Sequence, residues 1–147
     1  MKQVITVLSL SLLVVGFTSC KKEEVQKESA IQKALMAHTW QMEKVTGYIS
    51  GVPSVAYQRG VANNEDDYSL IRQTYKANGS IVYVGQFGDS GSDGNYELLN
   101  GDTKIKIGLS SMGLSIVGEN LKATATEFAY TLKHGDGDST RFIFSPF

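Results

Sequence analysis

The chain has one cysteine, Cys20, and its setting is specific. Lys2 stands ahead of an apolar run over residues 4–17, and the small residues Thr18 and Ser19 follow immediately before the thiol. A positive start, a short apolar middle and a small-residue cleavage region make up an export signal. The run is shorter than the roughly 20 apolar residues that a membrane-spanning helix needs. A lone cysteine has no internal disulfide partner, so the chemistry on offer is acylation of the sulfur at a newly made N-terminus. The other groups of chemically reactive type are scattered. His38 and His134, the two histidines, are far apart in sequence, and a zinc site needs three or four ligands. Asp89 and Asp93, and Asp136 and Asp138, stand in segments with the acid and glycine content of calcium loops, but lack the full spacing and the closing glutamate. Gly/Asp turn chemistry accounts for them. No Gly-x-Ser-x-Gly elbow is present, and Gly135 and Gly137 fall in a tight turn instead of between a strand and a helix. The reading is therefore of a chain with no catalytic residue, no metal site and no cofactor.

The segment around Cys20 resembles the signal of bacterial lipoproteins. Lys22, Glu23 and Glu24, just past the cysteine, resemble the surface-export signal of Bacteroidetes-type lipoproteins. The resemblance implies cleavage before Cys20, a lipid anchor on that residue, and a place on the outer membrane, at the cell surface or on the periplasmic face. Stable anchoring needs more than one acyl chain, because a single chain binds only marginally. The organisation expected is a signal peptide over residues 1–19, the acylated cysteine and a charged tether over 20–28, and one folded domain over 29–147. With 14 basic and 15 acidic residues the chain has a net charge of −1, which implies no basic face of the kind nucleic-acid binding uses, and no nucleic-acid partner is expected.

The folded part reads as β structure. Fifteen glycines against two prolines, with seven tyrosines and six phenylalanines, favour many strands and turns. Ile31 and Leu35 repeat at helical spacing behind Ser29, a cap residue, which predicts a short N-terminal helix. Trp40 and Met42 share one face of the next segment, and the phase slips near Glu43 and Lys44, which predicts a bulge. Residues 50–67 read as a long polar loop, and 88–94 as a shorter flexible one. Asn78-Gly79 between apolar arms predicts a hairpin with a type I′ turn. Ile105, Ile107 and Leu109 alternate with Lys104 and Lys106, as a half-buried antiparallel strand should. About eight sequential strands of this kind close most simply into an up-and-down barrel, which leaves no edge.

Trp40 near the start of the first strand, the turn at Tyr75-Lys76-Ala77-Asn78-Gly79-Ser80, and Leu121 leading into two final strands resemble the lipocalin-like domain of small bacterial lipoproteins. His38 stands where lipocalins commonly carry glycine. The resemblance implies an all-β barrel with a short helix, and no catalytic residue. Trp40, Tyr83, Phe87, Tyr96, Phe128, Tyr130, Phe142 and Phe144 are the candidate lining of a barrel interior. Two outcomes stay open. Aromatic side chains can fill an eight-stranded barrel completely, or leave room for a small apolar or amphipathic ligand. A filled barrel would turn attention to the polar loops, as a surface for an envelope protein or a glycan.

Overall fold

The computed structural model describes residues 28–147. The expected leader, Cys20 and the export signal at Lys22, Glu23 and Glu24 lie outside that range. The described residues form one α-helix, α1 (Ala30–Met36), and nine strands: β1 (Thr39–Ile49), β2 (Val52–Gln58), β3 (Arg72–Tyr75), β4 (Ser80–Val84), β5 (Ser90–Leu99), β6 (Lys104–Leu109), β7 (Leu114–Ala123), β8 (Phe128–Lys133) and β9 (Ser139–Pro146). Neighbouring strands pair antiparallel in chain order from β3 to β9, β3 pairs with β1, and β1 also pairs with β9. Eight strands thus close into the expected up-and-down barrel, and β2 is an addition to it.

Helix α1 covers one end. The Ser29 side chain accepts a hydrogen bond from the Gln32 amide at 3.0 Å, satisfying one of the free N–H groups of the first turn. At the other helix end the indole Nε1 of Trp40 donates to the Leu35 carbonyl at 2.8 Å. Both Leu35 and Trp40 are fully buried. Helix and barrel are therefore tied together by a bond as well as by packing.

The bulge near Glu43 is present. Met42 pairs with Phe144 and Val45 with Phe142, with the register shift between Met42 and Lys44. One extra residue resets the parity, so Trp40, Met42 and Val45 all face inward. At the same point β1 changes partner on its other edge, from β3 (against Thr39–Gln41) to β2 (against Lys44–Ile49). Backbone groups at such a seam need other partners. Arg59 supplies two of them: its Nε donates to the Met42 carbonyl at 2.8 Å and its amide to the Glu43 carbonyl at 2.8 Å. The Met42 amide donates to the Ile71 carbonyl at 3.3 Å.

Three local readings are corrected. The expected polar loop over 50–67 contains β2, joined to β1 by a two-residue turn at Ser50 and Gly51, both with positive φ. Its pattern was not legible because Val52 is 68% exposed and Val55 is also exposed. The expected flexible loop over 88–94 is mostly the first half of β5. The Asn78-Gly79 hairpin forms, but Gly79 alone is left-handed, at φ 80°. Bonds from the Gly79 amide to the Lys76 carbonyl and from the Lys76 amide to the Ser80 carbonyl mark a type I turn followed by a glycine bulge instead of type I′.

Candidate functional site

Strand parity sends side chains inward, and their depth along the barrel divides the interior in two. The end under α1 is filled. Trp40, Tyr75, Ile81, Ile105 and Phe128 are almost wholly excluded from solvent there. Phe128 is the hub of the aromatic contacts, with Trp40 at 5.8 Å, Tyr75 edge-on at 5.4 Å and Phe144 stacked at 4.9 Å between ring centres. Tyr75 also meets Tyr96 edge-on at 5.1 Å.

Toward the opposite end the barrel is not filled. A cavity of about 280 Å³ opens among the ends of β3, β4, β6, β7, β8 and β9. Tyr130, Phe142 and Phe144 form its aromatic side, with Tyr130 stacked on Phe142 at 5.3 Å. Aliphatic groups complete the wall, among them Leu109, Ile116 and Leu132. Residues with polar groups are few, chiefly Gln73, Gln86, Tyr83 and Tyr130. Among the described residues no lysine, arginine or histidine lines it. An apolar concavity with a few orienting polar groups is the usual form of a small-molecule site, and this one is near the lower end of the common range of about 300–1,000 Å³.

Two glycines make the cavity wall possible. A Cβ on Gly91 would collide with the Tyr83 ring and hydroxyl. A Cβ on Gly118 would come within 2.6 Å of the Tyr130 ring. The tyrosines pack against bare backbone because these positions carry no side chain.

The Tyr83 hydroxyl leads out to the rim. It donates to Asp93 Oδ1 at 2.9 Å and shares a hydrogen bond with the Ser111 hydroxyl. Asp93 Oδ2 accepts from the Ser111 amide at 2.6 Å. The backbone amide of Ser111 and then the Tyr83 hydroxyl hold the Asp93 carboxyl below the ordinary aspartate range. The carboxylate pins the short helical turn Ser110–Met112 onto β5, and Met112 of that turn lines the cavity. Burial pushes the Tyr130 phenol well up, with no hydrogen bond contributing.

Of the eight aromatic residues read from sequence as a lining, Tyr83, Tyr130, Phe142 and Phe144 do line the cavity. Trp40, Tyr96 and Phe128 belong to the filled end, where the Tyr96 hydroxyl donates to the Lys76 carbonyl at 3.0 Å. Phe87 is a correction. It is 89% exposed, because the turn closed by the Gly88 amide on the Gly85 carbonyl carries it out of the strand. Leu109 and Leu132 alternate legibly as inward positions, but nothing in their pattern places them at the open end, and Ile116 stands beside Val117 in a short apolar run whose parity is not legible. His38 packs edge-on against Trp40 at the filled end, at 5.3 Å, and His134 Nε2 pairs with Thr140 Oγ1 at 2.8 Å in the β8–β9 hairpin.

No family model, no curated protein and no solved structure matches this chain.

Proposed function

We propose that this protein is a lipid-anchored binding protein of the cell envelope that holds a small apolar or amphipathic molecule in its barrel cavity. The observation that carries the reading is the 280 Å³ apolar cavity at one end of a barrel whose other end is packed solid. A water-sized group takes about 30 Å³. The space, open at its mouth, suits a small aromatic body or a short hydrocarbon chain, with a polar head at the mouth. No reaction is assigned to it.

The lipid anchor at Cys20 and the outer-membrane location rest on the sequence alone: the apolar run, the small residues before the cysteine, and the Lys22-Glu23-Glu24 segment after it. The resemblance to lipocalin-like lipoprotein domains agrees with the closed barrel and with the tryptophan at its packed end. The other reading, a filled barrel that recognises an envelope protein or glycan through polar loops, has less support. Much of those expected loops is paired strand, in β2 and in the start of β5.

Binding of the neutral fluorophore N-phenyl-1-naphthylamine tests the cavity. The protein should enhance its emission saturably, and Ile116→Trp, which puts an indole into the space, should weaken that binding about tenfold or more. Saturable binding that Ile116→Trp leaves intact would place the probe elsewhere and remove the basis of the proposal.

A further inference from the structure

We propose that the cavity selects amphiphiles with a cationic head, an ammonium group on a short apolar body, over neutral and anionic analogues of the same size. The proposal rests on the ligand-cavity reading above and adds the sign of the ligand's charge.

Two carboxylates stand at the mouth. The Asp89 side chain folds over Gly85, a lining residue: a Cβ there would lie 2.6 Å from both carboxylate oxygens. Asp93 is bonded through Oδ1 to the hydroxyl of Tyr83, another lining residue. Neither is paired with a cation among the described residues. The ion pairs among the described residues join Arg59 to Glu43, Lys104 to Glu119 and Lys122 to Glu127. The other cations of this half are engaged or distant. Arg72 on β3, in register with Val84, donates to the Ser69 and Ile71 carbonyls and lies over the Phe147 ring. Arg141 donates to Thr131. Lys133 and His134 lie at the β8–β9 hairpin, across the ring of strands from the β4–β5 turn that carries Asp89. That hairpin adds two more acids, Asp136 and Asp138.

The interior favours the same ligand. With no basic group among the lining residues, nothing there neutralises a carboxylate or phosphate head. Tyr83 and Phe142 bring aromatic rings to the lining, and aromatic rings attract cations electrostatically. An apolar body thus enters the aromatic space while a positive head stays at the acidic rim, where it keeps part of its hydration.

The test is competition for bound N-phenyl-1-naphthylamine on the full chain, with three eight-carbon compounds below their aggregation concentrations: octyltrimethylammonium, octanol and octanoate. The ammonium should displace the probe at concentrations about threefold or more below octanol, with octanoate weakest. Asp89→Asn should narrow the ammonium-to-octanol ratio. So should about 1 M salt, where the screening length falls to about 3 Å. If octanol matches or exceeds the ammonium, or if the gap survives both Asp89→Asn and high salt, the charge assignment is overturned while cavity binding stands. Displacement by none of the three overturns the cavity reading itself.

Discussion

Gly118 of β7 lies directly beneath the ring of Tyr130 on β8, so close that a Cβ at that position would sit 2.6 Å from the ring edge. This contact sets the tilt of the tyrosine that stacks on Phe142 and bounds the cavity. The neighbouring atoms are the near end of a buried ring, which cannot swing aside as a flexible chain end would. Gly118→Ala should therefore destabilise the barrel by about 1–3 kcal/mol, the usual cost of overpacking. Urea unfolding measures this directly. An unchanged midpoint would mean that the ring moves freely into the cavity.

Trp40 is the chain's one tryptophan, and it caps a carbonyl of the last turn of α1 through Nε1. Trp40→Phe leaves the Leu35 carbonyl without that donor in a buried place, at a cost of about 1–3 kcal/mol before any loss of packing. Circular dichroism should show a lower melting temperature. Binding of N-phenyl-1-naphthylamine to the folded variant should persist, because Trp40 lies in the filled end and does not line the cavity. Loss of binding by a well-folded variant would contradict the division of the interior into two parts.

Asp93 makes the rim sensitive to acid. Its folded pKa lies below the unfolded value of about 3.9, so its contribution is fully present above that pH and is lost as pH falls through the lower, folded value. The amide resonance of Ser111, which donates to Asp93 Oδ2, should report this as a shift with a midpoint below about 3.9. Asp93→Asn should abolish the transition. A midpoint at or above the ordinary value would show that the carboxylate is not held as the geometry indicates.

The anchor is tested apart from the barrel. Full-length protein expressed in a bacterium with lipoprotein processing should fractionate with membranes, and Cys20→Ser should move it to the soluble fraction. Continued membrane association of the variant would contradict acylation at Cys20.

Parts of this architecture are legible residue by residue. The alternation of Ile105, Ile107 and Leu109 with Lys104 and Lys106 marks β6, because an antiparallel strand with one wet face must sort its side chains with period two. The phase slip at Glu43 and Lys44 reveals the bulge in β1, since an extra residue is the simplest way to bring Val45 onto the face of Met42. Ser29 and the Ile31–Leu35 spacing mark α1. Strand β2 is not legible, because its first residues are solvated and only pairing with β1 makes them a strand. The start of β5 is hidden for a different reason. Its glycines look like a loop, yet Gly91 is bare so that Tyr83 can lie against it.

The sequence by itself determined an antiparallel barrel with a capped helix, and it separated most inward residues from outward ones, because parity along a strand is a local property. Only the tertiary structure decided which of the inward aromatics fill the barrel and which bound a cavity. Trp40 and Phe128 have the same inward parity as Tyr130 and Phe142, but what they do depends on how far each lies from the helix-covered end. That depth is set by the stagger of eight strands and by where α1 seats Leu35 over Trp40. It belongs to the closed sheet as a whole, and no single strand encodes it.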